Sequence, residues 1–289
     1  MRQDVESRVN LLSRFTRRPG RTAAEATALV AAAVVAFPLY WMVLSALKPA
    51  GEIRSAQPRP WTLSPTLDSF RRVFGQEDFG RYFLNSVVVA VAVVIASAFI
   101  AFLAATAVTR FRFRLRTTLL IMFLVAQMVP VEALTIPLFF VMRDLGQLNT
   151  LWSLILPHIA FSLPFAIWML RGFVKGVPEA LEEAAYMDGA SRTRFLWQIL
   201  FPLVLPGLVA TSVFSFISAW NDFLFAKSFI ISDISRSTLP MALLVFYKPD
   251  DPDWGGVMAA STVMTIPVLV FFVLVQRRLV SGLGGAVKD

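Results

Sequence analysis

Residues 178–206 read PEALEEAAYMDGASRTRFLWQILFPLVLP, a polar, helix-competent stretch set between long apolar segments. Both ends of a helix are written into it. Pro178 suits a first turn, where its missing N–H is no loss, and Glu179, Glu182 and Glu183 place negative charge beside the positive end of the helix dipole. Gly189 permits the left-handed conformation that closes a helix, so the spacing predicts a helix over 179–188. Leu181, Ala184, Ala185 and Asp188 recur at three and four residues and therefore share one face. An alanine face is smooth, and it lets a helix sit deep in a groove of another protein. Ser191 is placed to cap a second helix through Phe195, Trp197 and Ile199, which meets Pro202 and Pro206 and then turns apolar. The plainer alternative is an amphipathic connector.

Outward from this stretch the chain is overwhelmingly apolar. With 57% hydrophobic and 16% charged residues, and a mean hydropathy of +0.67, it is an integral membrane protein rather than a soluble domain. Six apolar segments, at 26–47, 83–108, 117–142, 151–170, 203–225 and 256–276, each have the length that crosses a hydrocarbon core of roughly 30 Å at ~1.5 Å per helical residue. Backbone groups in lipid must pair within their own segment, and no ten-residue alternating strands are present, so the expected fold is all-α with six transmembrane helices. The first apolar run is too long, and its polar leader too extended, for a cleaved signal peptide, so a retained helix is expected.

Basic residues set the expected orientation. Six Arg precede the first span; Arg110, Arg112, Arg114 and Arg116 lie between spans two and three; Arg171, Lys175, Arg192 and Arg194 between four and five; Arg277, Arg278 and Lys288 follow the sixth. With the N-terminus inside, these are 17 of the 27 Lys and Arg, so both termini and the 178–206 stretch are expected in the cytoplasm. The net charge of +8 is then a topological signal and not a nucleic-acid footprint. The run TRFRFRLR reads as an interfacial anchor whose Arg stems reach lipid headgroups. Residues 1–25 form a cytoplasmic leader, 26–276 the membrane domain with a cytoplasmic loop at 171–202, and 277–289 a cytoplasmic tail, whose Ser281–Gly285 stretch reads as flexible. Between spans one and two, residues 48–82 carry Pro49, Pro58, Pro60 and Pro65 and read as an irregular hood; residues 226–255 form a polar and aromatic loop.

Glu183, Ala184, Ala185, Gly189, Ile199 and Pro202 stand at the complete spacing of the Glu-Ala-Ala motif of permease subunits of ATP-binding-cassette importers, with Phe201 where that family usually has Leu. The chain resembles that family, and within it the shorter, maltose-type partner of a carbohydrate permease pair. MVPVEALTIPLFFVMRDLGQLNTLWSLILPHIAFSLPFAIWML, AWNDFLFAKSF and QRRLVSGLGGAVKD extend the resemblance over most of the chain after residue 26. The resemblance implies a bacterial inner-membrane permease forming half of a sugar pore, with Glu179, Glu182, Glu183, Ala184, Ala185, Asp188 and Gly189 on a coupling helix that docks into a cytoplasmic ATPase subunit. It also implies a second permease, two ATPase subunits that bind ATP and Mg, and an extracellular sugar-binding protein. Gly282, Gly284, Gly285 and Lys288 would reach the ATPase dimer, and Tyr247, Lys248 and Trp254 the binding protein, unless 226–255 is only a solvated connector.

Other residues stand out by their chemistry. Glu132 lies within the third apolar segment, where an ionised carboxylate costs roughly 2.5 to 3.5 kcal/mol. It is expected to face a water-filled cavity, the partner permease or a hydrogen-bond donor, with Gln127 sharing a polar substrate path, or else it sits on a helix unwound around Pro130 and Pro137 near the outer surface, wet and merely structural. Trp220, Asn221 and Asp222 end the fifth segment with groups suited to sugar stacking and hydroxyl recognition, or they form an interfacial belt. His158 is the single histidine and reads as a packed residue. With no cysteine, no Gly-x-Ser-x-Gly elbow and no phosphate-loop Gly-Lys pair, the chain has no catalytic candidate, no metal site and no ATP site of its own. The energy source is therefore a separate ATPase or, in the alternative reading, an ion gradient acting through Glu132, Asp222 and His158.

Overall fold

The computed structural model describes residues 19–76 and 78–284, with side chains over 24–76 and 78–276. Twelve helices follow in order among them: α1 (Pro19–Leu47), α2 (Ala50–Ile53), α3 (Asp68–Phe74), α4 (Phe79–Arg110), α5 (Arg116–Ala126), α6 (Thr135–Asp144), α7 (Trp152–Gly176), α8 (Glu179–Met187), α9 (Arg192–Trp220), α10 (Leu224–Phe229), α11 (Leu239–Phe246) and α12 (Trp254–Gly284). The fold is all-α, without strands among the described residues.

Helices α1, α4, α7, α9 and α12 are each long and apolar enough to cross a membrane. The third apolar segment is not one straight span. Helix α5 and the stretch Val131–Asp144 qualify only together, as a pair bent by 95°. The cause lies at Pro130, which has no N–H to give and drives Val129 out of the helical region. Gln127 then spends its side-chain amide on the Phe161 carbonyl, 3.0 Å away on α7, and a 3-10 turn over Val131–Leu134 restarts the chain. Pro137 lies inside α6 near its start and breaks nothing.

At the centre α4, α7 and α9 pack on one another, with α12 against α9 and α1 on the outside of α12. Along α4 the buried positions Val89, Val93, Ser97, Ala101 and Ala105 recur every fourth residue, and the small ones let neighbouring backbones approach closely. Gly207 on α9 serves the same end: a Cβ there would lie 2.5 Å from the Phe173 ring of α7.

One end of the bundle is knitted together by its loops. Asn85 donates through Nδ2 to the Ser235 and Ser237 carbonyls, both at 2.9 Å, and Ser86 Oγ accepts from Leu239 N–H at 2.8 Å. Asn149, at φ +59°, accepts on Oδ1 from the N–H groups of Ile231 and Ser232. The 48–82 hood is tied across to the last loop by Arg54–Asp251 at 2.6 Å and Arg72–Asp253 at 2.9 Å. Burial pushes the Asp253 carboxyl up, but hydrogen bonds from Arg72 and the Gly256 N–H, with the charges of Arg72 and Arg54, hold it below the usual carboxylate range.

Two expectations change here. Residues 226–255 are not polar throughout, because α11 buries Leu239, Pro240, Ala242 and Phe246 in the core. The glycine-bearing stretch after 276 is not a flexible tail at its start, because α12 continues through Gly282 to Gly284; Gly285 and Lys288 lie outside the described residues.

Candidate functional site

Helix α8 lies across the opposite end of the bundle from the knitted loops. It begins after Pro178 and ends at Gly189, whose φ of +78° bears out the sequence expectation. Gly189 N–H reaches the Tyr186 carbonyl at 3.0 Å and Ala190 N–H the Ala185 carbonyl at 2.9 Å, the paired bonds of a Schellman closure. Ser191 then caps the next helix, accepting from Arg194 N–H at 3.2 Å. A π-helical stretch over Phe195–Leu200 follows, with Trp197 stacked on Phe99 of α4.

The face of α8 differs from the one expected. Ala185 is buried against the bundle, in the apolar cluster that holds Val174, Val177 and Phe195, so its side chain faces its own bundle rather than outward. Ala180, Leu181, Glu183, Ala184, Met187 and Asp188 are exposed, and Met187 is 88% so. Positions 180, 183, 184 and 187 fall at helical spacing and form the outward stripe. An alanine pair lies on both sides of the boundary; only packing divides it.

Arg110, the last residue of α4, holds the inward side. Its side chain is 6% exposed, with Nε 3.4 Å from Glu182 and Nη1 3.9 Å from Glu179. Nη2 donates to the Val177 carbonyl at 2.7 Å and the Val174 carbonyl at 3.3 Å, beyond and within the last turn of α7. One guanidinium therefore ties together α4, α7 and α8. Tyr186 donates to Glu182 at 2.9 Å; burial and that bond both push its hydroxyl up.

Near the bend in the third segment a cavity of about 330 Å³ is lined by Glu132, His158, Ser218, Asn221 and Asp222 together with Phe161. Gln127 lies beside it through its bond to Phe161. Asp222 accepts from the N–H groups of Phe225 and Ala226 and so starts α10; its Oδ1 lies 3.9 Å from His158 Nε2. His158 is packed, with Nδ1 2.7 Å from the Leu154 carbonyl. Trp220 is elsewhere: 1% exposed, it donates to the Met264 carbonyl and stacks on Phe216. It has no face left for a sugar. At the knitted end Tyr247 and Trp254 are both exposed, with their rings edge to face at 6.0 Å, and Lys248 is exposed beside them.

Residues 97–284 match the family described as binding-protein-dependent transport system inner membrane component. The chain belongs to that family. It is 39% identical over 270 residues to the diacetylchitobiose uptake system permease protein DasC of Streptomyces coelicolor, covering 93% of this chain and 98% of the relative. It is 35% identical over 254 residues to the trehalose transport system permease protein SugB of Mycobacterium tuberculosis (87% and 92%), and 36% identical over 260 residues to the inner membrane ABC transporter permease protein YcjP of Escherichia coli (88% and 92%). The crystal structure of a bacterial ABC transporter involved in the import of the acidic polysaccharide alginate contains a chain of the same fold, with a TM-score of 0.76 at 20% identity over 91% of this chain and 98% of that one.

A permease of this family is the non-catalytic membrane component of an ATP-binding-cassette importer and has no cofactor of its own. The ion-coupled alternative gains no support. No group of three or more His, Asp or Glu is placed to hold a metal among the described residues. Within this permease the residue that the sequence did not reveal is Arg110. It stands first in an alternating run of four Arg and reads like its neighbours; only its place at the end of α4, one turn beyond the buried Thr106, distinguishes it.

Proposed function

We propose that this permease forms half of the pore of a sugar importer and receives the ATPase stroke on the exposed stripe of α8. The observation that carries the reading is the position of α8: its outward side is free and smooth, while its inward side is clamped by Arg110 to the ends of α4 and α7. A push on the stripe is then delivered to two spans at once. The partners in this reading are a second permease, two cytoplasmic ATPase subunits that bind ATP and Mg, and an extracellular binding protein. Both termini and α8 lie on the cytoplasmic side of a bacterial inner membrane, in keeping with the basic residues at that end.

Sugar as cargo is supported by the relatives named for diacetylchitobiose and trehalose. The cavity's carboxylates, amide and hydroxyl are also suited to a hydroxyl-rich solute, with Gln127, Glu132, Asn221 and Asp222 on the path. Tyr247, Lys248 and Trp254 meet the binding protein, and Gly282, Gly284, Gly285 and Lys288 approach the ATPase dimer. The test is purification of the chain with its neighbours and reconstitution in vesicles. An ATPase chain should co-purify, and uptake of a sugar should require ATP and binding protein. Uptake driven by an ion gradient without an ATPase would refute the reading.

A further inference from the structure

A second cavity, of about 440 Å³, opens between the ends of α4, α5 and α7 and the side of α8 that carries Glu179, Glu182 and Tyr186, with the exposed Glu183 at its rim. Its walls carry Arg110, Arg112, Arg116 and Lys175 against Glu179, Glu182 and Glu183. Arg110 is committed to Glu179 and Glu182. Arg112, Arg116 and Lys175 make no ion pair or side-chain hydrogen bond among the described residues, and with Arg110 they set four cations against three carboxylates, which leaves the cavity with one net positive charge.

Two further features define what such a cavity accepts. It lies where the spans α4 and α7 end, at Arg110 and Gly176, and where α5 begins, at Arg116, which is the headgroup level of a bilayer that α4 and α7 cross. Phe111, Phe113 and Leu115 alternate with the cations and are all exposed, so apolar side chains stand beside the charges as acyl chains stand beside a phosphate. Basic pockets between spans on the cytoplasmic side suit anionic headgroups.

We propose that this cavity binds the phosphate of an anionic phospholipid, held by Arg112, Arg116 and Lys175. The lipid supplies the counter-charge that the protein omits and fills the space beneath the coupling helix, next to the Arg110 clamp. The site is separate from the solute path and does not depend on which sugar is carried.

The complete transporter complex is titrated with phosphatidylglycerol and with phosphatidylcholine of the same acyl chains, and bound lipid is counted by native mass spectrometry. The wild-type complex should prefer phosphatidylglycerol by roughly fivefold per cation, on the order of a hundredfold for three. Arg112→Gln/Arg116→Gln/Lys175→Gln should abolish that preference, and should such a complex fail to assemble, Lys175→Gln alone should reduce it about fivefold. Arg71→Gln, at the other end of the bundle, should leave it intact. Equal binding of both lipids by the wild type, or undiminished preference in the Lys175 variant, would overturn the proposal. Displacement of the lipid by glycerol phosphate at matching concentration would mark a site for free phosphate and overturn the lipid assignment.

Discussion

Replacing Arg110 by Ala should uncouple ATP hydrolysis from transport without preventing insertion. The loss can be worked from the clamp. A hydrogen bond from a charged group contributes about 1.5 to 3 kcal/mol, and the 2.7 Å bond to the Val177 carbonyl is the stronger of two. Glu182, 21% exposed, would be left half in the protein without its cation. Breaking a buried pair from one side costs about 3 to 5 kcal/mol, and the partial exposure of Glu182 puts this case at the lower end, about 3 kcal/mol. The pair energy bears on whether α8 stays docked, because Glu182 lies on α8, whereas the two carbonyl bonds hold α4 to the end of α7. At about 1.4 kcal/mol per tenfold, the undocked population rises on the order of a hundredfold. Hydrogen exchange of residues 179–190 in the assembled transporter should accelerate by that factor, and binding-protein-stimulated transport should fall while basal ATP hydrolysis remains. Arg110→Lys, with one donor head in place of a planar fork, should lie between the two. Wild-type transport together with unchanged exchange in Arg110→Ala would refute the clamp.

Gly189→Val should cost about 1 to 2 kcal/mol or more through its backbone alone, since φ is +78° and a Cβ would meet open space; Gly189→Asn should be far milder, and both are read by co-purification of the ATPase chain. Gly207→Ala drives a Cβ into Phe173 and should destabilise the α7–α9 contact by about 1 to 3 kcal/mol, visible as a lower melting temperature in detergent. The depressed carboxyl of Asp253 stabilises the loop tie above its unfolded value of about 3.9, and that contribution disappears as pH falls through the folded value. Proteolysis of the 48–82 hood should therefore increase on acidification in the wild type, and increase less in Asp253→Asn, where only the Arg54–Asp251 tie remains. Tyr247→Ala/Lys248→Ala/Trp254→Ala should lower binding-protein-stimulated ATPase and leave the basal rate; an unchanged response to binding-protein concentration would make the loop a connector.

What could be read from the sequence followed from how local each signal was. The ends of α8 need only their own residues: Pro178 and the glutamates start it, Gly189 stops it, and Ser191 begins the next helix. Six apolar segments are equally local. The bend at Pro130 was visible as a possible unwinding, but a proline inside an apolar run marks a break only when something else holds the freed chain, here Gln127 on Phe161. Helix α11 escaped because eight apolar residues are too short to span, and a loop otherwise rich in Asp and Pro hides them. Trp220, Ala185 and Arg110 needed the tertiary structure. Trp220 ends a helix as an interfacial tryptophan would, yet Met264 and Phe216 take both its donor and its ring. Periodicity placed Ala184 and Ala185 on one face, whereas the bundle surface passes between them.

That division allows a direct measurement, because the chain has no cysteine of its own. Single substitutions Ala184→Cys and Ala185→Cys are each assembled with the ATPase subunits and treated with a short bifunctional thiol reagent, the ATPase carrying cysteines around its cleft. Ala184→Cys should cross-link to the ATPase in high yield, with the yield changing on ATP binding, and Ala185→Cys should not cross-link at all. Equal cross-linking from both positions, or from neither in a complex that still transports, would contradict the docking of the ATPase on the outward stripe of α8.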